Sequence, residues 1–142
     1  MHIKTRVEIS SDPAYHGVPR KALRECCLVA GLSDKQTNRL ELALGEAMSN
    51  VTRHCYGGDC NRPIVVECAV NDSEIHLVLI DSGPEVDEAA LPTEPTPCDQ
   101  PGGLGLHFIR QTMSEMHFEK CSGGGNRLVM IYNYADKAKE LT

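Results

Sequence analysis

The residues best able to do chemistry lie in three short motifs that follow one another along the chain. The first places Glu46 and Asn50 four residues apart, the second is Asp81-Ser82-Gly83, and the third is Gly102-Gly103-Leu104-Gly105-Leu106. A carboxylate, an amide and a run of glycine amides are together suited to binding a magnesium-bound nucleotide. We therefore predict a nucleotide pocket built from these three motifs.

The first motif lies in a stretch with helical periodicity. Residues four apart on a helix point the same way, so Glu46 and Asn50 should face one cleft. An Asn side-chain oxygen is a suitable ligand for Mg²⁺, and Glu46 could order a water or accept a proton. The alternative is that both are ordinary polar residues on an amphipathic helix.

The second motif follows an apolar strand that ends at Asp81. A carboxylate at the end of a buried strand can accept a hydrogen bond from the amine of adenine, and Gly83 lets the backbone approach the base. The alternative is a plain turn, where Asp and Gly are both common.

The third motif precedes a predicted helix. Backbone N–H groups at a helix start bind phosphate, and the helix dipole adds to the attraction. The spacing matches neither a Walker A loop nor a Rossmann fingerprint, so the alternative is a simple helix entry.

These motifs need a scaffold, and the pattern predicts the order β-α-α-ββ-loop-α-ββ. Alternation predicts strands over 2–9, 63–70, 74–81, 117–121 and 127–134, and helical spacing predicts helices over 15–30, 33–55 and 104–116. Hairpin-linked strands favour a mixed, mostly antiparallel five-stranded sheet with three helices on one face, which is a two-layer α/β (α+β) sandwich. Residues 84–101 are predicted to form a lid, and the tail 135–142 to fray.

Composition narrows the class of protein. The length of 142 residues predicts a single domain over 1–142, and the net charge of −6 argues against nucleic-acid binding. No apolar run is long enough for a membrane span, and the N-terminus does not have the pattern of a signal peptide. We therefore expect a cytoplasmic protein. Its seven cysteines, odd in number and without a Cys-x-x-Cys pair, are expected to be mostly free thiols.

Taken together, the motifs resemble those of the GHKL ATP-binding family, and within it the stand-alone anti-sigma factor serine/threonine-protein kinases. Residues 46–56 (Glu-Ala-Met-Ser-Asn-Val-Thr-Arg-His-Cys-Tyr) are similar to the N box, 81–84 to the G1 box and 102–110 to the G2 box. Residues 124–128 are similar to the hairpin that closes the domain. The resemblance covers about residues 3–134.

The resemblance implies a function and a role for each motif. Asn50 would coordinate Mg²⁺, Glu46 would be the general base, Asp81 and Gly83 would bind adenine, and the 102–106 segment would hold the phosphates. The protein would use ATP to phosphorylate a serine of an anti-sigma factor antagonist, and would sequester a sigma factor to regulate transcription. It would be a homodimer. Basic residues on the first helix would contact partners, although a solvated helix face is an equal alternative: Arg20, Lys21 and Arg24.

Two departures from the family pattern leave alternatives open. Glu85 stands where the G1 box usually has glycine, and no Lys or Arg lies between Gly83 and Gly103. A non-catalytic ATP-binding partner-switch module is therefore one alternative to the kinase. A histidine-kinase-like catalytic domain is another, disfavoured because the chain has no phospho-acceptor helix pair.

Overall fold

A five-stranded antiparallel sheet forms one layer of the protein. The computed structural model describes residues 2–91 and 103–136, with only the backbone of 103 and 104. The strands are β1 (Ile3–Ser10), β2 (Pro63–Val70), β3 (Glu74–Asp81), β4 (Glu115–Lys120) and β5 (Asn126–Asn133). Their order is β1-β2-β3-β5-β4, and every pair is antiparallel. The mostly antiparallel five-stranded sheet that the sequence predicted is therefore confirmed, and every pairing among these five strands is antiparallel.

Three helices form the second layer: α1 (Gly17–Ala30), α2 (Asp34–Asn50) and α3 (Gly103–Thr112). Gly31 ends α1 in the left-handed conformation, with φ +81°. Ser33 and Gln36 form a capping box at the start of α2, so two free N–H groups are satisfied there. Local capping thus explains the end of α1 and the start of α2.

The core lies between the two layers, and α2 packs between α1 and α3. The helical periodicity of this stretch places five apolar side chains on the buried face of α2: Leu40, Ala43, Leu44, Ala47 and Val51. They meet core-facing residues of the central strands such as Leu77, Leu79 and Met130. Aliphatic packing on this face positions the exposed edge of α2 above the ends of β3 and β5.

Two helix boundaries differ from the prediction. The helix predicted over 104–116 ends at Thr112, and Met116 lies in β4, paired with Met130. The Ser114 N–H donates to the Ile131 carbonyl oxygen at 2.8 Å, so the chain joins the sheet where helical spacing alone would continue the helix. The predicted α2 is also interrupted, since a π-helical turn, Val51–Cys55, follows Asn50.

No helix within residues 2–91 or 103–136 is long and apolar enough to cross a membrane. The six cysteines in these ranges are all free thiols, as predicted.

Candidate functional site

A cavity of about 330 Å³ opens between α2, α3 and the ends of β3 and β5. Its wall is mostly apolar, with contributions from Ala47, Val51, Leu79, Ile109 and Leu128. Polar side chains also line it: Asn50, His54, Asp81, Glu85 and Asp87. An apolar cavity with a few placed polar groups is typical of a small-molecule site.

Asp81 is the buried polar group of this cavity, and only 6% of it is exposed. Its Oδ1 accepts hydrogen bonds from the Gly83 N–H at 2.8 Å and the Asn126 Nδ2 at 3.0 Å. Burial raises the pKa of Asp81, while those two donors and the positive charge of Arg62 oppose the rise. Both bonds end on Oδ1, so among the described residues Oδ2 is left as an acceptor for a ligand.

Gly83 fits the predicted role of a close-approach residue. A Cβ built there would lie 3.0 Å from both Cβ and the carbonyl oxygen of Cys55, and 3.2 Å from Asp81 Oδ1. Distances this short leave little room for a side chain, so glycine keeps the turn against the end of α2 and its π-helical turn.

Asn50 lies on the cavity wall, as the sequence predicted, and the π-helical turn brings His54 and Cys55 to the same wall. Burial, with the nearby charge of Asp81, raises the pKa of the Cys55 thiol to about 11. Burial lowers the pKa of His54, and Arg53 adds to that shift. π-Helical turns of this kind are frequent at functional sites.

Glu46 does not line the cavity; it packs against the first turn of α3. A Cβ built on Gly105 would lie 2.6 Å from Glu46 Oε2. Glycine at this position therefore makes room for a carboxylate, which the motif alone did not indicate. Glu46 and Asn50 share one side of α2, but only Asn50 reaches the cavity wall.

The glycine motif begins α3, whose first residue is Gly103. Leu106 is buried and lines the cavity. Nothing is described of the side chain of Leu104, and Gly102 lies outside the described residues. Phosphate binding by this segment remains a prediction.

The first part of the predicted lid, residues 84–91, will be called the strap; the remainder, 92–101, lies outside the described residues. Glu88 Oε1 accepts a hydrogen bond from the Phe118 N–H at 2.8 Å, on the free edge of β4. Glu85 pairs with Lys120 at 3.2 Å. The carboxylate that departs from the family pattern thus has a cation beside it.

Sequence reasoning did not assign a site role to two groups beside Asp81. The first is Asn126 with Gly125 before it. The second is a set of contacts behind the turn, where Arg62 stacks on the Tyr56 ring at 4.4 Å and donates to the Ser82 carbonyl oxygen at 2.7 Å. The Tyr56 hydroxyl accepts from the Ser82 N–H at 2.8 Å. Arg62 lay outside every recognised motif, whereas Gly125 and Asn126 lay in the segment 124–128 that resembles the closing hairpin.

The basic residues of α1 lie apart from the cavity. Arg24 Nε donates to Glu41 Oε1 at 2.8 Å, and its NH2 group donates to Asn38 at 2.7 Å, so this guanidinium links α1 to α2. Arg20 lies across Gly45, and Lys21 is exposed. Binding of partners by these residues remains a prediction.

Comparison with known proteins places these features in context. Serine-protein kinase RsbW of Bacillus licheniformis is 30% identical over 122 residues, which cover 80% of this chain and 76% of the relative. The enzymes of the same name from Listeria monocytogenes serovar 1/2a and Bacillus subtilis are 27% and 26% identical, and 82% of this chain is covered in each.

Solved structures share the fold. The RsbU and RsbW domains of a Mycobacterium tuberculosis protein superpose with a TM-score of 0.65 at 19% identity, over 92% of this chain and 32% of that chain. The catalytic domain of histidine kinase ThkA gives 0.57 at 13% identity, over 92% and 96%. The profile of the histidine kinase-like ATPase domain matches residues 9–132. This chain therefore belongs to the histidine kinase-like ATPase domain family.

Proposed function

We propose that the cavity binds the adenine of ATP and that the protein is an ATP-dependent serine kinase. The observation that carries this proposal is the buried Asp81, which presents an acceptor oxygen at the end of an apolar cavity. A flat base with an exocyclic amine satisfies both features, since its faces are apolar and its amine donates. The match to an ATPase family over most of the chain supports the same ligand.

The donor set also fits a magnesium ion. The Asn50 amide is a hard oxygen ligand on the cavity wall, and Mg²⁺ usually takes few protein ligands and keeps several waters. Asn50 would hold the ion, and the amides at the start of α3 would face the phosphates. When bound, Mg²⁺ neutralises phosphate charge during phosphoryl transfer.

Glu46 is the proposed general base. Its carboxylate lies against Gly105, at the start of α3, where the phosphates are expected. In this role Glu46 accepts the proton of an incoming serine hydroxyl. The serine would belong to a small anti-sigma factor antagonist, and the kinase would bind a sigma factor when that antagonist is phosphorylated. The proposed place of action is the cytoplasm.

A second candidate, an ATP-binding switch without turnover, is favoured by the charge around the lid. The strap carries Glu85, Asp87 and Glu88, and no basic residue lies between Gly83 and Gly103 in the sequence. A kinase of this kind would have no lid cation with which to neutralise the γ-phosphate. ATP would then change the shape of the partner surface without being consumed.

We also propose a homodimer formed through the outer face of the sheet. Register places an apolar group on the face opposite the helices: Val65, Val78, Ile80, Val129 and Ile131. Charges of both signs surround it, with Arg127 beside Glu67 and Glu119. A two-fold axis can pair such a patch with itself. Sedimentation of Val78→Asp should show a monomer, whereas Leu42→Asp on α2 should leave the dimer intact.

Calorimetry with ADP and ATP, with and without Mg²⁺, tests the nucleotide site. We expect micromolar affinity, about −8 kcal/mol, and loss of the Mg²⁺ dependence in Asn50→Ala. The matched control is Asn38→Ala, on the same helix and away from the cavity. Wild-type protein that binds neither nucleotide would refute the proposal.

Radiolabelled ATP and a serine-containing antagonist protein test the kinase. Glu46→Gln should bind ADP as the wild type does and transfer no phosphate. Wild-type binding without transfer to any antagonist would favour the switch without turnover.

A further inference from the structure

Asn126 uses its whole side chain to join three backbone and side-chain groups around the cavity. Its Nδ2 donates to Asp81 Oδ1 at 3.0 Å and to the Pro84 carbonyl oxygen at 2.8 Å. Its Oδ1 accepts from the Val86 N–H at 2.7 Å. Only 2% of the residue is exposed, so these bonds form away from competing water and should be maintained.

The sheet determines where Asn126 lies. It begins β5, directly opposite Asp81 of β3 and Lys120 of β4. Gly125 before it lets the two backbones approach so closely that a Cβ there would lie 2.1 Å from the Asp81 carbonyl oxygen. The amide is therefore held at one position by the register and by a glycine.

We propose that Asn126 is a positioning residue that holds the base-reading carboxylate of Asp81 and the strap as one unit. The proposal rests on the proposed function, because it assigns a role within the adenine site. Its bond to Oδ1 keeps Oδ2 as the acceptor for the adenine amine. Its bonds to Pro84 and Val86 set the start of the strap at the same time.

Other attachments of the strap are more exposed. Lys120 and Glu85 have side chains that are 73% and 53% exposed, and such ion pairs contribute little. Glu88 holds the far end of the strap at the edge of β4. Asn126 thus supplies the buried attachment at the near end, where the strap leaves the base-binding turn.

A ligand-free experiment tests the positioning role directly. Carbon-13 NMR titration of the Asp81 carboxyl should show its midpoint rise by at least about one pH unit in Asn126→Ala, because a donor to the ionised form is lost. Arg62, whose charge lowers the pKa of Asp81, and Cys55, whose thiol lies near that carboxylate, are both unchanged in this variant. Amide exchange of Val86 should also become faster.

Two further variants keep the test decisive. Asn133→Ala, at the other end of β5, is the matched control and should change neither readout. Asn126→Thr keeps a hydroxyl that can donate one bond and accept one, so it can replace at most two of the three bonds, should give a smaller effect, and serves if the alanine variant does not fold. An unchanged Asp81 midpoint together with unchanged Val86 exchange would overturn the proposal.

Binding of ADP and IDP links the residue to the base. IDP carries a carbonyl where adenine has its amine, so the wild type should prefer ADP by at least about tenfold. Asn126→Ala should reduce the ratio of ADP affinity to IDP affinity towards one. As the pH is lowered, the variant should also lose ADP affinity at a higher pH than the wild type, because its Asp81 is protonated at a higher pH. An unaltered preference would refute the role in base reading. Wild-type protein that binds no ADP would instead refute the proposed function, while the ligand-free titration still decides whether Asn126 positions Asp81.

Discussion

Replacing Gly125 with alanine should destabilise the protein strongly, because the added methyl group meets backbone atoms of the base-binding turn. A Cβ at Gly125 would lie 2.1 Å from the Asp81 carbonyl oxygen and 2.9 Å from the Cα of Ser82. Backbone atoms cannot rotate away as the end of a long side chain can, so the hairpin and the turn would have to separate. The φ of +92° at Gly125 adds strain for any L residue.

The neighbouring glycines allow the cost of the steric clash to be separated from the cost of the positive φ. Gly124 has a φ of +93°, and no atom of the described residues lies within 4 Å of a built Cβ, so Gly124→Ala should cost only the backbone strain, about 1–2 kcal/mol. Gly123 also has open space and does not have a positive φ, so Gly123→Ala should change stability by less than about 0.5 kcal/mol. Overpacking adds about 1–3 kcal/mol, which places Gly125→Ala at about 2–5 kcal/mol.

Urea unfolding followed by circular dichroism measures the three free energies of unfolding by linear extrapolation. We expect the order Gly123→Ala, Gly124→Ala, Gly125→Ala, from most to least stable. If the free energies of unfolding of Gly125→Ala and Gly124→Ala differed by less than about 0.5 kcal/mol, Gly125 would not lie as close to the Asp81 backbone as described. The geometric basis for the position of Asn126 would then be refuted as well.

Three other predictions follow from single contacts. Gly105→Ala should keep or slightly raise the free energy of unfolding, because alanine favours a helix by about 1 kcal/mol and only the flexible end of Glu46 must move. Phosphate transfer should nevertheless fall, because Glu46 is displaced. ADP affinity, measured by calorimetry, should not change. Burial lowers the pKa of His16, whose Nε2 has no hydrogen-bond partner among the described residues, so unfolding free energy should decrease as pH falls below about 6.5, by at most about 1.4 kcal/mol per pH unit. His16→Gln should reduce that slope. The other contributions, of the same sign from His54 and of opposite sign from Asp81, cancel when the slope of the variant is subtracted from that of the wild type. Cys55 lines the cavity with its thiol pKa raised to about 11, so maleimide labelling, followed by mass spectrometry, should be slow at neutral pH and slower still with ADP.

Each of these predictions has a result that would contradict it. A large loss of stability in Gly105→Ala would mean that Glu46 cannot move aside. Equal pH slopes for His16→Gln and the wild type would remove His16 as their source. Labelling of Cys55 that ADP does not slow would place the nucleotide outside this cavity.

The sequence predicted the elements well wherever the determinants are local. The predicted boundary between the first two helices, near residues 30 to 33, is observed, because the left-handed Gly31 and the capping box at Ser33 each depend on residues within a few positions of one another. The end of α3 was predicted wrongly, because Met113 and Met116 have helical spacing. The bond from Ser114 to Ile131, between residues distant in sequence, decides that this chain turns into a strand.

The candidate site shows the same division. Asn50, Asp81, Gly83 and Leu106 were predicted from motifs, and the structure places all four at or beside one cavity. The place of Glu46 was not predictable, because helical spacing indicates a shared side of α2 but not which neighbour fills the space opposite. That neighbour is Gly105, at the start of another helix.

By itself, therefore, the sequence determined the types of element, the order of the motifs and the family to which they belong, since all of these are properties of short segments. Only the tertiary structure decided how the motifs are held. Asn126 reaches Asp81 across 45 positions of sequence, through the register of two strands. A one-residue slip of that register would turn the side chain to the other face of the sheet. No local pattern contains that information, because it arises only when the core has packed.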